Sequence, residues 1–85
     1  MAERRVRVAI TIGLRARALE LFVKRAARSP SPVGIARPEA DHATDAKSYL
    51  SVLGLGIDSG DEIVITADDR NTVDDLADLA STEEL

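Results

Sequence analysis

The sequence has no cysteine and no tryptophan, and a single phenylalanine, tyrosine and histidine. Each scarcity removes a class of explanation. Without Cys there is no disulfide scaffold, no thiolate metal site and no Cys nucleophile, which fits a reducing compartment. Aromatic residues at 2% leave no stacking platform for single strands, and a net charge of −4 withholds the phosphate-neutralising term, so no nucleic-acid partner is expected. A long apolar run is also missing. The most apolar stretch, Tyr49 to Ile57, is broken by Ser51, Gly54 and Gly56, far short of the ~20 residues a membrane span needs. The opening Met-Ala-Glu-Arg-Arg leads into alternating residues and not into an apolar run. Neither a signal peptide nor membrane insertion is expected, and the chain reads as cytoplasmic. No HExxH, GxSxG or GxxxxGK[ST] pattern occurs, so the chain is not read as an enzyme and no cofactor is expected. His42 has Asp41 and Asp45 nearby, but on an expected exposed turn it reads as a solvated side chain, so no metal site is assigned.

What is present is an ordinary globular balance: 85 residues, 45% apolar and 31% charged. That suits one domain over residues 1–85 with one core, built from Leu, Ile, Val and Ala because aromatics are scarce. Charge is split along the chain. Residues 1–37 hold nine Lys or Arg against two acids, and residues 38–85 hold two against thirteen. Such asymmetry can mark a basic surface for an acidic partner. We read it as a dipolar surface with internal ion pairs.

Hydrophobic periodicity sets the element order. Arg4 to Ile10 alternates, with Val6, Val8 and Ile10 facing one way, which predicts a half-buried strand. Gly13 marks a turn. Ala16 to Ala27 carries Leu19, Phe22, Val23 and Ala26 on one helical stripe, with Glu20 and Lys24 paired on the wet face. Ser29-Pro30-Ser31-Pro32 stops that helix. Val33 to Arg37 predicts a second strand, Pro38 to Asp41 a turn, and His42 to Thr44 a short third strand. Ser48 to Leu53 predicts a helix of one to two turns, followed by a turn at Gly54 and Gly56. Asp58-Ser59-Gly60-Asp61 has turn chemistry, and Glu62 to Ala67 predicts a strand with Ile63 and Ile65 on one face. Asn71 or Thr72 is expected to cap a last helix with the stripe Val73, Leu76, Ala77 and Ala80, and with Asp74 and Asp75 in its first turn. The order is βαββαβα. Each element has one apolar face, and an α+β arrangement with an antiparallel sheet and helices on one side buries them all.

Two segments could carry chemistry. In Gly13-Leu14-Arg15-Ala16-Arg17-Ala18 a loop enters a helix, where free backbone N–H groups attract anions and Arg15 and Arg17 add permanent charge. The plainer reading is a pair of exposed arginines. In Asp45 to Ile57, Ser48 sits where an N-cap belongs. It reads either as a cap alone or as a phosphorylation switch that changes the surface shown to partners.

In order and separation, the segments GLRARAL, AKSYLSVLGLGI and SGDEIVITA resemble the HPr phosphocarrier family of the phosphoenolpyruvate-dependent sugar phosphotransferase system. The family pattern is Gly-Leu-His-Ala-Arg-Pro-Ala, a serine segment like Ala-Lys-Ser followed by two apolar residues, then Leu-Gly and a Gly-containing turn before a strand. The resemblance covers nearly the whole chain. It implies the HPr-like open-faced β-sandwich, with a four-stranded antiparallel sheet. It also implies partners such as enzyme I or a regulator of that system. In the family the histidine relays phosphate, the arginine two residues on shapes its site, and in some lineages the serine is phosphorylated by a dedicated kinase.

Two departures alter what the resemblance implies. The phosphoacceptor position holds Arg15, and a guanidinium stays protonated where imidazole can offer a ring lone pair. The family's Pro after the arginine is Ala18. Arg15, Ala16, Arg17 and Ala18 are then expected to bind an anion or partner and not to carry phosphate. Ser48 remains a candidate regulatory phosphorylation site, and Lys47, Tyr49, Leu50 and Leu53 a docking face, with Tyr49 larger than the usual aliphatic residue. The chain thus resembles a His-less, Crh-like member acting in regulation. The alternatives are a working carrier with another acceptor, or an anion-binding module at the first helix end.

Overall fold

The computed structural model describes residues 1–9 and 16–82. The elements are β1 (Ala2–Arg7), α1 (Ala16–Ala26), β2 (Val33–Ala36), β3 (Thr44–Asp45), α2 (Tyr49–Leu53), β4 (Glu62–Ala67) and α3 (Arg70–Ala80). The four strands form one sheet in the order β1-β4-β2-β3, and every pairing is antiparallel. The expected α+β architecture and element order are what the chain adopts.

The sheet separates a core face from an open one. Val33 and Ala67 are cross-strand partners, as are Ile35 and Ile65, and Val6 and Ile63. These side chains point to the helices, and Ile35, Ile63 and Ile65 are fully buried. Alternate residues, among them Glu3, Arg5, Val64, Thr66 and Gly34, face outward because the side-chain period of a strand is two. Leu19, Phe22 and Ala26 of α1 and Val73, Leu76, Ala77 and Ala80 of α3 fill the space beneath the core face. Phe22 supplies the largest buried side chain, in keeping with a core made mostly of aliphatic residues. One close approach occurs on the open face. A Cβ at Gly34 would lie 2.6 Å from Thr66 Oγ1 and 2.8 Å from the Ala43 methyl, so β2 can pass only with a hydrogen there.

Several boundaries differ from the sequence expectation. The first strand begins at Ala2 and not at Arg4, because its length is set by the six residues of β4 that it pairs with, Ala2 to Ala67 through Arg7 to Glu62. Past Arg7 the backbone finds other partners: Val8 N–H donates to Asp61 O and Ala9 N–H to Ala80 O. Ile10 and the expected turn at Gly13 lie outside the described residues. The third strand is Thr44–Asp45, while His42 lies in an exposed bend.

The last helix starts earlier than expected. Its N-cap is Asp69, whose extended backbone lets one carboxylate oxygen accept the Asn71 N–H and the other the Thr72 hydroxyl. Asn71 and Thr72 are thus the capped residues and not the cap. Asp74 and Asp75 fall beyond the first turn and serve as ion-pair partners: Asp74 to Arg4 at 3.3 Å and Asp75 to Arg25 at 2.7 Å. The expected internal pairing of the basic and acidic halves is therefore realised, with Arg5–Glu62 (2.7 Å) and Arg37–Asp61 (3.3 Å) as further bridges between them.

Candidate functional site

Arg17, from the first segment singled out in the sequence, lies beside Tyr49 of the second. Residues Arg17, Glu20, Leu21 and Lys24 share one face of α1 because they recur every three to four positions, opposite the buried Leu19, Phe22 and Ala26 stripe. That face and Tyr49 of α2 line one open groove. Beside the groove, α2 exposes apolar surface: Tyr49 is 41% exposed, Leu50 76% and Leu53 43%. Only Val52 of this helix is buried, so the short helix turns most of its apolar side chains outward.

The remaining expected site residues are distributed unevenly. Arg15 lies outside the described residues, and of Ala16 only the backbone is described, as the first residue of α1. Arg17 is exposed on the groove. Ala18 is fully buried, backbone and methyl alike, so it presents no surface to a ligand at this end. Lys47 is half-buried, and its ammonium donates to the carbonyl of Ser29, just past α1, at 2.7 Å. It therefore fastens the entry of α2 to the end of α1. Its own N–H donates to Asp45 Oδ1, closing the turn before the helix.

Ser48 is the N-cap of α2. Its backbone is extended, and its hydroxyl oxygen accepts the Ser51 N–H at 3.3 Å. A five-residue helix has little stability of its own, so the cap and the tertiary ties on either side hold it.

The groove wall carries two cations, Arg17 and Lys24, against one carboxylate, Glu20. Glu20 pairs with Lys24 at 2.9 Å, the i,i+4 contact expected from the sequence. The hydrogen bond and charge of Lys24 hold the Glu20 carboxyl below the usual carboxylate range. Among the described residues no cluster of three His, Asp or Glu side chains could hold a metal ion. No described helix is long and apolar enough to cross a membrane.

Sequence reasoning missed three contributors. Leu21 and Glu20 line the groove, and the spacing 17, 20, 21, 24 could have shown it. Arg37 was read only as a charge. In the structure its Nη2 donates to the carbonyls of Leu55 (2.9 Å) and Gly56 (3.0 Å), the segment that leaves α2.

This arrangement has known counterparts. A family model described as the PTS HPr component phosphorylation site matches residues 2–82. Phosphocarrier protein HPr of Streptomyces coelicolor is 46% identical over 68 residues, spanning 80% of this chain and 72% of that protein. The crystal structure of a phosphocarrier protein HPr from Bacillus anthracis is similar with a TM-score of 0.84 at 29% identity, covering 94% of this chain and 96% of that one. Crh of Bacillus subtilis, crystallised as a swapped dimer, is similar with a TM-score of 0.69 at 28% identity, covering 100% and 99% of the two chains. With its sheet order, its paired helix segments and a match over nearly its full length, the chain belongs to the HPr family of the phosphotransferase system.

Proposed function

We propose that this chain is a single-domain regulatory or adaptor member of the HPr family. It docks onto phosphotransferase-system proteins, such as enzyme I or a regulator, without relaying phosphate through position 15. The observation that carries this reading is Arg15 within an otherwise retained GLRARAL frame. A phosphoacceptor at neutral pH needs a nitrogen lone pair, and guanidinium keeps its protons. Docking is supported by the exposed Tyr49, Leu50 and Leu53 beside the groove that Arg17 and Lys24 line. Such a protein works in the cytoplasm, and Crh serves as the functional analogue. Ser48 is the regulatory position in this reading. A phosphate on its oxygen keeps the acceptor role toward the Ser51 N–H and adds a dianion beside the exposed apolar cluster.

The test is incubation with phosphoenolpyruvate and enzyme I, followed by mass spectrometry of the intact chain and its peptides. No stable or transferable phosphoryl group is expected on residues 13–18. An acid-labile adduct at Arg15 or at His42 that passes onward to a sugar would sink the proposal.

A second reading is a working carrier with another acceptor, favoured by the 46% identical relative named a phosphocarrier. Replacing Arg15 by His and Ala18 by Pro together tests the frame. Prompt phosphotransfer by that double variant, absent from the unmodified chain, favours the adaptor reading. Equal transfer by both favours the carrier.

A further inference from the structure

We propose that Arg37 is the positioning residue of α2: its guanidinium holds the chain that leaves this helix, and so sets where the exposed Leu50 and Leu53 stand. Four observations combine. First, α2 has only five residues and cannot hold its own geometry. Second, its entry is already fastened, by Lys47 Nζ on the Ser29 carbonyl. Third, its exit is met by a fork: Arg37 Nη2 reaches the Leu55 carbonyl at 2.9 Å and the Gly56 carbonyl at 3.0 Å, while Nη1 lies 3.3 Å from Asp61 Oδ2. That oxygen also accepts the Asp58 N–H at 2.9 Å. Fourth, Gly56 has φ +62 with open space around its Cα, so the chain reverses there in a conformation that offers both carbonyls to one cation. Arg37 thus joins the end of β2, the exit of α2 and the turn into β4. A planar guanidinium spreads these contacts over two nitrogens, Nη2 to the carbonyls and Nη1 to Asp61, where a lysine would have to make all of them from one.

The consequence is specific. Loss of Arg37 is expected to free the segment from Leu53 to Ile57 while leaving the β1–β4 ladder and α1 in place, because among the described residues its side-chain hydrogen bonds and ion pair go to Leu55, Gly56 and Asp61. Hydrogen exchange followed by NMR on Arg37→Gln reads this directly. The amides of Gly54, Leu55 and Gly56, which donate to Leu50, Val52 and Leu53, are expected to exchange about tenfold faster, the population change of losing one charge-assisted hydrogen bond. Those of Ile63 and Ile65 are expected to be unchanged. Uniform acceleration, β4 included, would make Arg37 a general stability residue and overturn the proposal, as would no acceleration after α2.

Two further variants separate charge from geometry. Asp61→Asn keeps an acceptor for the Asp58 N–H and removes the ion pair. It is expected to leave exchange at 54–56 within about twofold, since surface ion pairs hold little. Arg37→Lys keeps the charge and is expected to retain most of the acceleration; full rescue by lysine would refute the fork.

The functional side rests on the docking reading above. Titration with enzyme I is expected to show Arg37→Gln binding several-fold more weakly than the unmodified chain. If the unmodified chain binds no enzyme I while Arg37→Gln still frees Gly54 to Gly56 selectively, the docking reading fails and the positioning role stands. If exchange after α2 is unmoved, the positioning role fails whatever the binding result.

Discussion

At Gly34 a single hydrogen atom decides whether β2 fits. The nearest atoms to a new Cβ belong to Thr66, on the strand beside it, and to Ala43, just before β3. Gly34→Ala is therefore expected to destabilise by about 1–3 kcal/mol through overpacking, measured by urea denaturation. Combining it with Thr66→Ser, which keeps the hydroxyl but can turn it away, is expected to recover part of that loss. An unchanged midpoint for Gly34→Ala alone would show that the strand has slack the geometry does not suggest. This constraint was not legible in the sequence, where a Gly in a strand says only that something comes near. The cap of α3 was nearly legible. Asp69, Asn71 and Thr72 are all capping residue types within four positions. What selects Asp69 is that its two oxygens can serve both followers at once, a matter of geometry and not of propensity.

At the scale of elements, β4 was read with its true bounds because two signals agree on it: the Asp58–Asp61 turn before it and the alternating Ile63 and Ile65. β1 was displaced because alternation shows a strand's phase but not its ends, which the partner sets. β3, two residues long, is too brief to carry a period at all. The first candidate segment can be compared only from Ala16 onward, since Gly13, Leu14 and Arg15 lie outside the described residues; in the second, from Asp45 to Ile57, the short helix and its Ser48 cap were legible. Ser48 at its head has two separable roles. Ser48→Ala removes the cap and is expected to cost about 1 kcal/mol, read as a lowered thermal midpoint with faster exchange at Ser51. Ser48→Asn keeps a capping oxygen and is expected to retain stability within a few tenths of a kcal/mol, while denying a kinase its hydroxyl. A kinase assay on the Asn variant then reports on modification without a folding defect. Equal loss of stability in both variants would show that the cap is not what holds α2.

For the molecule as a whole, three held carboxyls fix how it responds to acid. Glu62 is held below the usual carboxylate range by the hydrogen bond and charge of Arg5. Asp61 is lowered first by the Asp58 N–H and then by Arg37, and Glu20 by Lys24. A carboxyl with a lowered folded pKa binds its proton more readily in the unfolded chain. Its stabilisation is present above the ordinary carboxylate range, near pH 4, and disappears as pH falls through the lowered folded values. The thermal midpoint is therefore expected to be level near neutrality and to decline once the pH passes below about 5. Because these groups are exposed, added salt is expected to shift the neutral midpoint little. A midpoint that rises on acidification would contradict the sign assigned to all three groups.

The pairing of β1 with β4 has one more consequence. The first strand made meets a partner encoded more than half the chain later. A ribosome delivers the arginine-rich portion well before the aspartates that balance it. During synthesis the nascent segment is a cationic, unfinished sheet edge, and closure of the ladder waits until most of the polypeptide has left the exit tunnel.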